Sequence, residues 1–194
     1  KSEASISGYA AVSYQVGAIK AAFQTMDDAD ELVESDGSSS NSSVANFTSV
    51  SGSAIKADYD LTISQLAKSQ RTVSNVYNST NESLNAEAFN ISVTIGSSQT
   101  TTHTISVSTA TPQGVTDAIN DANIGISASL LSLGNSANQY RIILEGGQGT
   151  EGAFSVSSSP DLGFATTANT LQSSQNAQLT FNGLAIERSS NEIS

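Results

Sequence analysis

The chain of 194 residues has no cysteine, no tryptophan, two prolines and a single histidine. Without cysteine there is neither a disulfide framework nor a thiolate metal site. One histidine cannot pair with a second imidazole at metal-ligand spacing, and a catalytic histidine needs a nucleophile and an orienting carboxylate. Long apolar runs are missing too. No stretch approaches the roughly 18 residues that mark a membrane span, so membrane insertion is not expected. Nor does the segment after Lys1 show a charged stretch followed by an apolar one, so no signal peptide is expected. Cations are scarce: 7 Lys and Arg stand against 18 Asp and Glu, for a formal net charge of −11. Phosphate recognition needs clustered Lys and Arg, which excludes nucleic acid and argues equally against anionic membrane surfaces. Only 13% of residues are charged, and the abundance of Ser, Thr, Asn and Ala gives a neutral-polar surface.

What is present is periodicity of two kinds. Residues 5–26 read as a helix in which Tyr9, Val12, Val16, Ile19, Phe23 and Met26 recur at spacings of three and four. That pattern keeps one seam facing a partner. An ordinary amphipathic helix on its own domain would show the same stripe, but the chain offers no second helix of similar length to bury it. Residues 27–43 then turn acidic and serine-rich around Gly37. Acidic residues at the C-terminal end of a helix oppose its dipole, so the helix is expected to fray into a connector here. The run Asp27, Asp28, Asp30, Glu31 lacks the alternating spacing and central glycine of an EF-hand loop and reads as a solvated acidic face.

From Val44 to Val76 the period changes to two. Tyr59, Leu61 and Ile63 share one face against Asp58, Asp60, Thr62 and Ser64 on the other, as in a half-buried strand. Phe89, Ile91, Val93 and Ile95 alternate with polar residues and, with His103–Val107, predict an antiparallel hairpin. Thr111 and Pro112 then open a short helix with an apolar stripe at Val115, Ala118, Ile119 and Ala122, ended by Asn123 and Gly125. Two further runs, Ile126-Ala128-Leu130 and Tyr140-Ile142-Leu144, flank the turn residues Gly134-Asn135-Ser136. Gly146-Gly147-Gln148-Gly149 reads as a loop leading to a strand at Ala153–Val156. Residues 157–176 have little periodicity beyond Leu162 and Phe164. Finally Asn182-Gly183 joins Leu179 and Phe181 to Leu184 and Ile186, a strong type I′ hairpin signal.

Catalytic readings fail one by one. His103 stands among threonines without a recognisable partner, so a structural or exposed role is expected. Asp117 and Asp121 form an i, i+4 carboxylate pair of the sort that helix surfaces carry routinely. The glycine run is not followed by Lys-Ser/Thr or by a helix, which leaves phosphate cradling unsupported. No enzyme activity and no cofactor or metal are expected. Five Asn-x-Ser/Thr sequons, at Asn41, Asn46, Asn78, Asn81 and Asn90, matter only in a host that glycosylates asparagine.

Three stretches also carry a resemblance. Thr111-Pro112-Gln113-Gly114-Val115-Thr116-Asp117-Ala118-Ile119-Asn120, followed by Ile124–Leu131 and Asn138–Leu144, resembles the internal module of bacterial flagellins and hook-associated proteins. Ala57–Gln70 and Ala177–Asn191, the latter ending in Arg188-Ser189-Ser190-Asn191, resemble two signatures of the flagellar filament cap family. Ile63 and Ser64 replace that family's usual Val and Thr.

The resemblance implies a fold that is α+β and mainly β. An N-terminal helix would precede two small β-rich domains, the second inserted in the first and carrying one short helix packed on a sheet. The implied division is a helical leg segment (1–34), a linker (35–43), a discontinuous first head domain (44–75 plus 177–194), and a second head domain (76–176) holding the module (111–156). It further implies a ring-like homo-oligomer at the filament tip, outside the cell after export by the flagellar apparatus, guiding flagellin into the lattice. A flagellin or hook–filament junction protein is one alternative. A secreted adhesin head binding host glycan or mucin is another.

Overall fold

The computed structural model describes residues 14–20, 37–46, 57–134 and 139–192. The chain divides into two units, Lys1–Asp58 and Tyr59–Ser194. In the first unit residues 14–20 form a helix, α1, with every described side chain exposed. Asn41 organises a turn there: its side chain accepts from the Ser43 N–H at 3.2 Å, and its carbonyl accepts from the Val44 and Ala45 N–H groups.

Among its described residues the second unit contains ten strands in three antiparallel sheets. Strands β1 (Leu61–Gln65), β9 (Ala177–Phe181) and β10 (Leu184–Arg188) make a three-stranded sheet in the order β1-β9-β10. Strands β2 (Ser69–Val73), β5 (Ser127–Ser132), β6 (Tyr140–Gln148) and β8 (Thr170–Gln172) make a second, ordered β5-β6-β2-β8. Strands β3 (Phe89–Ile95), β4 (Thr101–Val107) and β7 (Phe154–Ser158) make the third, ordered β4-β3-β7. Helix α2 (Pro112–Asp121) packs on β4, β5 and β6.

The local chemistry behind these elements is the chemistry of the sequence. Thr111 accepts a hydrogen bond from the Gly114 N–H at 3.1 Å, and Pro112 fills the first turn, where no N–H is missed. Val115 and Ile119 are fully buried, one turn apart. Asn123 and Gly125 both adopt positive φ, which ends the helix. Asn182 (φ 48°) and Gly183 (φ 83°) give the positive-φ pair that the β9–β10 hairpin requires. In the β3–β4 hairpin Phe89, Ile91, Val93, Ile105 and Val107 are buried, while the alternate positions carry Ser, Thr and Asn.

A single core lies among the second and third sheets and α2. Ile91, Val107, Val115, Ile119 and Ile142 are fully inaccessible in it, and Leu162 and Phe164 of the connecting segment close it.

Three expectations need correction. Ser69–Val73, grouped with residues 44–75, ladders instead onto β6 and β8 of the four-stranded sheet. Its polar sequence hid a strand whose buried positions are Ser69, Thr72 and Val73. Gly146–Gln148 is not a loop but the end of β6. A Cβ on Gly146 would press on the Phe154 ring, so glycine lets β6 run beneath it. The aperiodic stretch 157–176 contributes β8.

Glu151 fastens the β3–β4 turn. It accepts hydrogen bonds from the N–H groups and hydroxyl of Ser98 and Ser97, which hold its carboxyl down at about 2 against an ordinary 4.5. Glu145 is also lowered, by Arg71 at 3.0 Å and by the Ser69 hydroxyl.

Two outcomes are expected. Ile142→Ala should lower the unfolding free energy in urea by about 2–5 kcal/mol, since the emptied site sits between two sheets. Glu151 is depressed in the folded state, so its contribution is complete above pH 4.5 and disappears as pH falls towards 2. Glu151→Gln should therefore flatten the fall in melting temperature between those pH values, leaving the slope due to Glu145 and the other carboxylates. A variant as pH-sensitive as the parent would contradict this.

Candidate functional site

The residues singled out from the sequence do not converge on a chemical centre. Val16 and Ile19 lie on α1 at 58% and 57% exposure, while Tyr9, Val12, Phe23 and Met26 fall outside the described residues. His103 is half-buried on β4 opposite Val93. Asp117 accepts from the Gln113 side chain at 2.7 Å and, with Asp121, borders a shallow polar depression beside α2. Among the described residues no three His, Cys, Asp or Glu side chains stand close enough to hold a metal ion. No helix among them is long and apolar enough to cross a membrane.

What the structure does bring together is the pair of terminal signatures, 124 residues apart. The chain leaves the β1-β9-β10 sheet through Leu66-Ala67-Lys68 and returns to it through Gln175-Asn176. These two crossings form a one-rung ladder in which Lys68 and Gln175 bond each other. Ala67 is 4% exposed at this crossing, where no strand lies beside it to complete its hydrogen bonds. Asn191 supplies the missing partner. Its Oδ1 accepts from the Ala67 N–H at 2.7 Å, and its Nδ2 donates to the Ala67 carbonyl at 3.1 Å. One side-chain amide thereby does what a neighbouring strand would do.

The same solution recurs around the junction. Gln175 donates to the Leu66 carbonyl at 2.8 Å, and Gln65 donates to the Asn176 carbonyl at 2.7 Å. Asn176 accepts from the Thr150 N–H at 2.8 Å and donates to Glu187. Deeper in, Gln70 of β2 bonds both the N–H (3.1 Å) and the carbonyl (2.8 Å) of Phe154, stitching the second sheet to the third. Asn120 of α2 does likewise for Ala128 of β5, at 2.8 and 2.9 Å. Gly149 completes the seat. It has φ 80°, and a Cβ there would approach the Ser189 Cα to 2.7 Å, so the segment after β10 lies directly on its backbone.

The β1-β9-β10 sheet itself presents one apolar face. Leu61, Phe181 and Leu184 stand in one cross-strand row, with Ile63, Leu179 and Ile186 in the next. Tyr59 stacks on Phe181 with ring centroids 5.1 Å apart. Leu184 is 68% exposed at the edge. The period-2 pattern located this face. It carried no sign of Asn191 or Gln70, whose roles depend on backbone groups 124 and 84 residues away, nor of Asn120, which bonds Ala128 eight residues on.

No family model matches the chain. Flagellar hook-associated protein 2 of Escherichia coli O157:H7 is 31% identical over 92% of this chain, and its counterpart in strain K12 is 30% identical over 81%. The chain spans 41% and 36% of the length of these two relatives. Among solved structures, the D2–D3 domains of the flagellar cap protein FliD from Escherichia coli align with a TM-score of 0.65 at 31% identity. That alignment covers 74% of this chain and 79% of that one. The D2–D3 domains of the cap protein from Serratia marcescens align with a TM-score of 0.62 at 24% identity, a likeness of fold. The two signatures that meet at Ala67 and Asn191 thus sit in a fold of the same kind, and the chain belongs to the flagellar hook-associated protein 2 (FliD) family of flagellar cap proteins.

Proposed function

We propose that this chain is part of a filament-capping protein that works at the tip of a bacterial flagellum, outside the cell, as a homo-oligomer assisting flagellin polymerisation. The observation that carries the reading is the 31% identity with the solved cap domains across most of both chains. The physical character of the chain agrees with a role by binding and rearrangement. It is acidic, poor in cations and aromatics, and built from small sheets joined by hydrogen bonds.

Self-association is assigned to the helical segment. Val16 and Ile19 are apolar, spaced by three, and more than half exposed. Apolar side chains at a and d spacing present a seam that a second helix can cover. Tyr9, Val12, Phe23 and Met26 continue the same spacing and complete the proposed seam. The covering helix comes from another copy or from the remainder of the longer polypeptide.

The test uses the full-length protein from the same source. Val16→Asp with Ile19→Asp should shift it from a multi-subunit species towards monomer in light scattering after size exclusion, and should abolish rescue of filament growth in a cap-deficient strain. Parent protein that is strictly monomeric and fails to restore filament growth would overturn the capping assignment. Rescue by the double variant would overturn the seam alone.

A further inference from the structure

We infer that Ser189-Ser190-Asn191 is a strap that locks the β1-β9-β10 sheet at a fixed angle to the rest of the second unit, with Asn191 as its positioning residue. This goes beyond the capping role and stands on geometry alone. The extensive contacts of β1, β9 and β10 are with one another, so the sheet is joined to the remainder mainly through its connections. Two of these are the covalent crossings at Ala67-Lys68 and Gln175-Asn176. A ribbon of two strands held by one backbone bridge and the Gln175–Leu66 and Gln65–Asn176 bonds is a marginal unit by itself.

Asn176 adds a link, accepting from the Thr150 N–H and donating to Glu187 of β10, and the strap is the remaining connection. It leaves the end of β10, lies against the bare backbone of Gly149, and closes on the first crossing through both hydrogen-bonding groups of Ala67. The two crossings alone allow a hinge, and the strap's paired bonds to Ala67 add to the single Asn176 link in restricting it. The strap buries no apolar side chain, and Ser189 and Asn191 are both exposed, so its hold is two hydrogen bonds and a backbone seat. Such a hold can open without unfolding either side. The released state would be hinge motion about Ala67-Lys68 and Gln175-Asn176, with both sheets intact.

The absence of cysteine makes the test direct. Thr62→Cys and Thr104→Cys place spin labels at exposed positions of β1 and β4 in the 194-residue chain. Pulsed electron paramagnetic resonance then reads the distance distribution between them. The labelled parent should give one narrow distribution, and adding Asn191→Ala should roughly double its width. Hydrogen exchange at the Leu179 amide reports whether the outer sheet stays folded. If Asn191→Ala loses that protection, Asn191→Asp decides. It keeps the acceptor for the Ala67 N–H, loses the donor to the Ala67 carbonyl, and should still widen the distribution. A parent distribution that is already broad overturns the strap. So does a deciding variant whose outer sheet is folded and whose width equals the parent's.

Discussion

Every buried peptide group needs a hydrogen-bonding partner, and where three small sheets meet, their ladders cannot supply them all. That constraint shapes the second unit more than any single apolar contact. A strand that leaves one sheet for another passes through a point where it has no neighbour on one side. Here that point, and the open edges of β5 and β7, are met by side-chain amides. Asn191 serves Ala67, Gln70 serves Phe154 and Asn120 serves Ala128, each through both the N–H and the carbonyl. Asn and Gln suit the task because the carboxamide carries a donor and an acceptor side by side, as a peptide does. A bond of this kind contributes about 0.5–1.5 kcal/mol net, while leaving a buried peptide group unpaired costs about 1–3 kcal/mol. Deleting the amide is therefore worse than its own worth suggests.

The composition follows from the same constraint. A chain with few charges and many short polar side chains can bond its own backbone without the desolvation cost of burying ions. The apolar core is confined to the space among the second sheet, the third sheet and α2, where alternation in β3 and β4 meets the stripe of Val115 and Ile119. The β1-β9-β10 sheet keeps an apolar face of its own, with Tyr59 stacked on Phe181. Its attachment to the core is polar, local and confined to a few residues.

Elements with strong local signals were legible in the sequence. The α2 cap, the β3–β4 hairpin and the Asn182-Gly183 turn depend on residues within a few positions of one another, so pattern alone finds them. The strand Ser69–Val73 was not legible, because a central strand reading Ser-Gln-Arg-Thr-Val has no apolar alternation to notice. It is buried by Ser69 and Thr72, whose environment is set by β6 and β8 more than sixty residues away. Gly146 and Gly147 misled for the opposite reason. Glycine usually marks a turn, but here it thins a strand so that Phe154 can lie over it. The two family signatures were visible as residue strings. Their physical meaning, an asparagine completing the hydrogen bonds of a distant alanine, needed the fold.

The claim that side-chain amides stand in for missing strands is tested most directly by residue-resolved amide hydrogen exchange on the 194-residue chain. The amides of Ala67, Ala128 and Phe154 should exchange as slowly as ladder amides of the sheets they adjoin, although each takes its acceptor from a side chain. Exchange of those three at the rate of unbonded loop amides, with the ladders themselves protected, would contradict the account.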